Sequence, residues 1–392
     1  VRILFLSQRV PYPPNRGDKI TTWRLIERMR RQHEVRCVAF SHGEADDEGA
    51  AALREMGIAL RTVPYHDRAA KLRSLPLLLG SRPLTLGVYG SRELQTIVDE
   101  EIKGCALAYA YSSSMGAFLE PHSGTRRVMH FGELDSDKWR QYSERTKPPM
   151  SWVYAREART LLEFERRIAG AFDENVVCTE LERRVFQAAI PGAPCMVLQN
   201  GVDLEYFHPR HNQPRTAQLA FTGVMNYHPN AEGCIWFVEE ILPRIRARHP
   251  EASFSIIGAH PTAAVRALAR VPGVEVTGFV QDTREHLRRA SISVAPLRIA
   301  RGIQNKVLEA MAMGLPVVGT TSATQGVGAR DAEHYFVRDD EQSFADAVVA
   351  LLDDAGLRST TARAGRLFVE RHYDWERVFE PLDGLLARLL RL

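Results

Sequence analysis

The sequence is poor in cysteine, in charge of one sign and in long apolar runs. Five cysteines (Cys37, Cys105, Cys178, Cys195, Cys234) are scattered over 392 residues with no CxxC pair and no metal-ligand spacing. This argues against a disulfide framework or a zinc module; it fits a reduced, cytoplasmic setting with the thiols in the core. No apolar run approaches the roughly 20 residues that cross a bilayer. The opening VRILFLS reads as a short buried strand rather than a signal peptide. A formal net charge of +3, with no interleaving of basic and aromatic residues, gives no footprint for nucleic acid. No GxGxxG follows any strand, which argues against a dinucleotide oxidoreductase.

What is present is an ordinary globular balance, 45% hydrophobic and 25% charged, at a length that predicts two domains. In the first half, short apolar runs at 2–7, 34–40, 59–65, 107–112, 126–131 and 175–179 alternate with helical patterns. After NGVDLEYFHP the alternation restarts, with runs at 218–223, 253–258, 274–279, 292–296, 316–320 and 335–337. Strands alternating with helices predict an α/β protein whose parallel sheets are covered on both faces. Ligands then sit at the carboxyl ends of the strands.

The stretch with the most chemistry runs from 299 to 319, IARGIQNKVLEAMAMGLPVVG. Gly302 frees the loop, Ile303, Val307, Leu308, Met311 and Ala312 recur at helical spacing, and Gly314 ends the helix before a buried strand. The first amides of such a helix lack intrahelical partners and its dipole is positive there, so the Gly302–Asn305 turn, with Ile303 and Gln304, is an anion site. Arg301 and Lys306 add full charges. Glu309, one turn further on, offers a carboxylate able to accept two hydrogen bonds from a diol. Phosphates at the tip and a ribose alongside describe a nucleoside diphosphate.

A helix carrying LEAMAMGLPVV after a glycine-containing loop resembles the donor-binding helix of family 4 glycosyltransferases, retaining enzymes of the GT-B fold. NGVD with the following F and P, and the DWE tail, arrive in the order that family shows. The resemblance implies two facing Rossmann-like domains with parallel sheets: 1–200 on the acceptor side, a linker at 201–216, a nucleotide-sugar domain at 217–372, and a helix at 373–392 crossing back to the first domain. The family's two glutamates stand eight positions apart; here Glu309 is the second and Arg301 replaces the first. The family's Arg and Lys after the first strand of the second half are also absent, Met225, Asn226, His228 and Asn230 standing there instead. The resemblance therefore leaves the diphosphate to Lys306 and Arg301. It also implies donor contacts from Gly17, Gly223, Asn230 and, for the nucleobase, Phe279 and Val280. Asn230 has a second role open to it, capping the next helix. Arg16 and Lys19 beside Gly17 are either cationic helpers or solvated charges.

The cluster in RRVMHFGELDSDKWRQY lies where the family faces the donor sugar or the acceptor hydroxyl. A general base there is sought among His130, Glu133, Asp135 and Asp137, with Asp135 ranked first and His130 second; all four can equally be surface or capping groups. Segments such as PYPPNRGDK and NYHPN are similar to the exopolysaccharide branch of the family. That likeness implies a glycan or polyprenyl-diphosphate-linked acceptor at the cytoplasmic membrane face. The expected reaction is transfer from a nucleotide-diphosphate sugar with retention, with no cofactor and no essential metal. A non-catalytic nucleotide-sugar-binding subunit and a nucleotide-sugar epimerase are the alternatives. Residues 67–86 mix cations and leucines: either they rest on an anionic membrane surface, or they pack the leucines inward and show Arg68, Lys71 and Arg73 to water. Charges of both signs in the long helix predicted over 149–169 fit a solvated face, and Pro381 should kink the final helix.

Overall fold

The computed structural model describes residues 1–209, 216–300 and 302–391 of the chain. Two compact units are formed, one from Val1–Leu198 with Phe379–Leu392, the other from Gln199–Val378.

The first unit is built on seven strands: β1 (Arg2–Ser7), β2 (Glu34–Ser41), β3 (Ala59–Pro64), β4 (Leu107–Tyr111), β5 (Arg126–Gly132), β6 (Glu174–Val177) and the two-residue β7 (Met196–Val197). Their order is β3-β2-β1-β4-β5-β6-β7 and every pairing is parallel. Such a sheet needs a crossover after each strand, and the crossover helices bury both faces, which is why Ile3, Leu4, Phe5 and Leu6 are all fully buried. Phe5 lies opposite Cys37 on one side and Tyr109 on the other, and its ring stacks on Tyr109 at 5.3 Å.

The second unit repeats the plan with β8 (Gln218–Thr222), β9 (Ser253–Ile257), β10 (Val274–Gly278), β11 (Ile292–Ala295), β12 (Val317–Gly319) and β13 (Phe336–Val337), in the order β10-β9-β8-β11-β12-β13, again all parallel. Both sheets thus reverse their winding once, between β1 and β4 and between β8 and β11. The carboxyl ends of those strand pairs open into the crevice where such folds take ligands.

All twelve predicted strands form; β7 is an addition too short to show a pattern. The chain returns to the first unit at Phe379 rather than at 373. Residues up to Val378 stay with the second unit, where Asp374 pairs with Val202 and the Trp375 ring packs against Gly201. Pro381 falls in the first turn of the last helix, Glu380–Leu390, where a missing N–H costs nothing, so the chain breaks before it and no kink forms within the helix. That helix buries Leu382, Leu385 and Leu386 and is tied by Arg28–Asp383 and Arg388–Glu174 ion pairs, both 2.5 Å. No helix among the described residues is long and apolar enough to cross a membrane.

Candidate functional site

In the second unit the carboxyl ends of β8 and β9 approach so closely that a side chain at Gly258 (φ +148°) would meet the Gly223 carbonyl oxygen at 1.7 Å. Gly223 in turn faces Asn230 and Lys306: a β-carbon there would stand 2.7 Å from Asn230 Nδ2 and 3.3 Å from Lys306 Nζ. Asn230, buried in the first turn of the helix His228–Trp236, does not cap it. Its Nδ2 donates to the Val224 carbonyl at 2.9 Å, and its Oδ1 accepts from Lys306 Nζ at 2.6 Å. Two residues 76 positions apart are thereby locked across the β8/β11 switch point.

Lys306 opens the helix Asn305–Ala312, which follows the turn at Gly302 (φ +62°). That turn is pinned by Gly326, where a β-carbon would meet the Gly302 oxygen at 2.1 Å, and by the buried Ile303. The Lys306 ammonium lies 4.4 Å from the centre of the Phe221 ring. Burial depresses its pKa to about 8, against the opposing pull of Cys234 and Glu309. Burial likewise lifts Glu309 to about 7, with Lys306 acting the other way. Among the described residues the Glu309 carboxylate accepts no hydrogen bond, and Asn305 Oδ1 is a buried acceptor without a donor. An unmet buried acceptor costs about 1–3 kcal/mol, a cost that a donor group on a ligand removes. The Gln304 carbonyl accepts from Val307 N at 2.9 Å and starts the helix. Arg301 lies outside the described residues. At the end of β10, Gly278 takes φ +69°, Phe279 is 73% exposed, Val280 packs on the core, and Asp282 caps the next helix through Arg284 N at 2.9 Å.

The first unit holds the other candidates. Gly17 begins the helix Gly17–Arg30 and is exposed; Arg16 pairs with Asp18, and Lys19 is buried against Asp46 at 2.6 Å. Lys19 is therefore an interior ion pair and neither a helper nor a solvated charge. His130, on β5, is 1% exposed; its Nδ1 meets the Tyr109 hydroxyl at 2.7 Å and its ring lies 4.8 Å from that of Tyr111. Desolvation drops its pKa to about 3. It is a neutral core histidine, out of reach of an external hydroxyl. Asp135, at the start of the helix Asp135–Arg145, is half-buried, accepts from Ser113 Oγ at 3.1 Å and pairs with Lys138. Asp137 is held by Arg140 at 2.8 Å and Gln141 at 3.0 Å.

Two carboxyl groups escaped the sequence reading. Glu165 receives both the amide and the hydroxyl of Ser136; burial first, then the Asp135 charge, lifts it to about 8. Glu182 is lifted to about 8 by burial and by Glu133. A signal for Glu165 was available: with Glu157, Leu161 and Ile168 it lies on one stripe of the helix Met150–Ala171, and both glutamates are buried, so the charges there are not all solvated. Glu157 accepts from the amides of Leu84 and Thr85 at 2.7 and 2.8 Å, which starts the helix Leu84–Val88.

Residues 67–86 divide their leucines: Leu86 is buried in the core of the first unit, while three others stand out. Leu72, Leu75 and Leu79 are 67%, 53% and 95% exposed, beside exposed Arg68, Lys71, Arg73 and Arg82. Arg156 fastens onto the carbonyls of Leu77, Gly80 and Arg82, which brings Trp152, one turn earlier on the same helix face and 70% exposed, to the same surface.

Comparison with known proteins bears on this geometry. A family model described as glycosyl transferases group 1 matches residues 216–354, the part that holds Gly223, Asn230, Lys306 and Glu309. The structure superposes on HepE of Anabaena in complex with UDP with a TM-score of 0.72 at 13% identity, covering 99% of this chain and 100% of that one. Sucrose-phosphate synthase from Thermosynechococcus elongatus gives 0.73 at 15% identity over 100% of this chain and 99% of that one. The fold is GT-B. In sequence, the chain is 21% identical over 398 residues to a protein of Klebsiella pneumoniae described as an uncharacterized 44.6 kDa protein in cps region, covering 97% of this chain and 98% of that one. A GDP-mannose-dependent monoacylated alpha-(1-6)-phosphatidylinositol monomannoside mannosyltransferase of Corynebacterium glutamicum is 26% identical over 242 residues, 56% of this chain and 64% of that one.

Proposed function

We propose that this GT-B protein is a retaining glycosyltransferase that moves a sugar from a nucleotide-diphosphate sugar to a glycan or polyprenyl-diphosphate-linked acceptor in bacterial exopolysaccharide assembly. The observation that carries the reading is the Gly223–Asn230–Lys306 lock at the β8/β11 switch point, with Glu309 one turn beyond. Gly223 keeps space where a side chain would fill it, Lys306 supplies a cation at a helix start, and Glu309 offers a carboxylate for ribose hydroxyls. The group 1 match over 216–354, the UDP complex of HepE and a relative in a cps region support this choice of donor and pathway.

In this reading the diphosphate leaves towards the amides of residues 303–305 and the Lys306 ammonium, with Arg301 as a further cation. Lys306, made easier to deprotonate by burial, gains most from a negative charge that grows at the leaving oxygen. Charge stabilisation of this kind does the work of a divalent ion. Asp135, the half-buried carboxylate, is the base; Phe279 and Val280 meet the nucleobase. The Leu72, Leu75, Leu79 and Trp152 surface, ringed by cations, rests on the anionic inner face of the cytoplasmic membrane, where a lipid-linked acceptor is found.

The test is transfer of a radiolabelled sugar from UDP- and GDP-sugars to a bacterial lipid extract, in EDTA, with the anomeric configuration of the product read by NMR. Labelled lipid with the donor's configuration is expected. Nucleotide binding without transfer means a binding subunit, epimerised donor without acceptor means an epimerase, and loss of transfer in EDTA removes the metal-free reading. Leu79→Ser with Trp152→Ser should cut cosedimentation with phosphatidylglycerol vesicles severalfold and leave nucleotide binding unchanged.

A further inference from the structure

The first unit has its own crevice at the β1/β4 switch point, and the proposed reaction leaves most of it without a role. Gln8 and Arg9 follow β1, His42 follows β2 and Tyr65 follows β3. Tyr89 ends the helix Leu84–Val88. Hydrogen bonds fasten the group together: Gln8 Nε2 donates to Ser114 Oγ at 2.7 Å, across to the first turn of the helix Ser113–Leu119 that follows β4, and His42 Nε2 meets the Gln8 carbonyl at 3.0 Å. The rings of His42 and Tyr65 lie 4.3 Å apart, and those of Tyr65 and Tyr89 stack at 5.5 Å, above the buried Phe40. All five residues of the group are half-buried, neither core nor open surface.

Three of its polar groups have no use inside the unit. Among the described residues the Arg9 guanidinium has no ion pair and no hydrogen bond, and the Tyr65 and Tyr89 hydroxyls have none either. Arg9 lies within electrostatic reach of His42, Tyr65 and Tyr89. Where most of the described arginines hold a carboxylate or a carbonyl, a half-buried guanidinium left open within electrostatic reach of two stacked rings is costly unless something completes it. Tyr89 is also within reach of Asp135 and Lys138, and Asp135 is bonded to Ser113, the neighbour of the Ser114 that anchors Gln8.

We infer that Arg9, Tyr65 and Tyr89 form an acceptor subsite for an anionic sugar, a pyranose that carries a carboxylate or a phosphate. The planar fork of Arg9 takes the anion, the tyrosine rings take the apolar face of the pyranose, and their hydroxyls take its hydroxyl groups. This inference rests on the transferase reading, because it places the acceptor beside the candidate base Asp135.

The experiment is ligand-observed saturation-transfer NMR with glucose 1-phosphate, glucuronate, methyl glucoside and inorganic phosphate. Saturating UDP is present so that the second unit's anion site is occupied. At least one anionic sugar is expected to bind about tenfold more tightly than methyl glucoside, as one charge-assisted bidentate contact provides. Whichever of the two binds identifies the anion as carboxylate or phosphate. Arg9→Gln should abolish the preference, Arg9→Lys should keep part of it, and Tyr89→Ala should weaken neutral and anionic sugars alike. Each variant is first checked for an unchanged melting temperature and an unchanged shift with UDP. Equal binding of neutral and anionic sugars, or a preference that survives Arg9→Gln, overturns the inference while a UDP shift leaves the transferase reading standing. Absence of any nucleotide shift is the separate failure of that reading.

Discussion

Nucleotide binding should draw a proton onto Lys306. In the free protein burial holds this amine at a pKa of about 8 against an ordinary 10.5, so at pH 9 about nine molecules in ten carry it neutral. A diphosphate beside Nζ favours the ammonium and returns the pKa to the ordinary range. Binding at pH 9 then takes up about 0.9 proton per nucleotide, and the dissociation constant rises about tenfold between pH 7 and pH 9. That pH isolates Lys306, because Glu309, at about 7, is ionised with or without ligand, and a terminal phosphate, with its second ionisation near about 6, is too. Calorimetric titration of UDP or GDP at pH 9, in buffers of different ionisation enthalpy, reads the proton count as the slope of apparent enthalpy. Lys306→Met should lower the slope to near zero. A wild-type slope of zero, or a slope that survives the substitution, refutes the placing of the diphosphate on Lys306.

Glu309→Gln should weaken nucleotide binding about tenfold, since a neutral amide accepts ribose hydroxyls less well. With no nucleotide present, the same variant should melt no lower than wild type at pH 8: the raised pKa of Glu309 means its ionised form opposes folding above pH 7. Gly258→Ala sets a methyl 1.7 Å from the Gly223 oxygen at φ +148° and should cost about 3 kcal/mol or more in a urea titration. Gly223→Ala, which instead meets Asn230 and Lys306 side chains, should keep the fold and lose nucleotide affinity in the same calorimeter. Glu165, raised to about 8, binds its proton more tightly folded than unfolded, so its contribution is lost as pH rises from about 4.5 to 8. Glu165→Gln should therefore flatten the melting temperature over that range and overtake wild type at pH 9.

The strands were legible because parallel sheets bury both faces, and runs such as ILFL and FSII leave no other reading. The turn at Gly302 and the helix after it were legible because the glycine and the helical spacing lie in one continuous stretch. Contacts between distant segments were not. Nothing local marks Asn230 as the partner of Lys306 rather than a cap, or Lys19 as the buried partner of Asp46. His130 has the composition of a site residue, yet a strand interior beside Tyr109 and Tyr111 makes it part of the core. The leucines at 72, 75 and 79 follow a helical spacing that normally marks a buried face. Leu72 stays outside because Ala70 and Ser74 are the buried residues of its helix, Asp67–Ser74; Leu75 and Leu79 lie in the 3-10 turn that follows, Leu75–Leu79, which buries none of its residues. Arg9 and Tyr89 carried no motif, and only the sheet order brings them together.

The most direct test of the central claim is a thermal-shift panel of UDP, GDP and ADP at about 100 times the dissociation constant, without added metal, on wild type and Lys306→Met. Binding at that level stabilises the folded protein by about 2.7 kcal/mol, which for units of this size raises the melting temperature by about 5–10 °C. The account predicts such a shift with one nucleoside diphosphate and its collapse in the variant. No shift with any of the three, or the same shift in Lys306→Met, contradicts it.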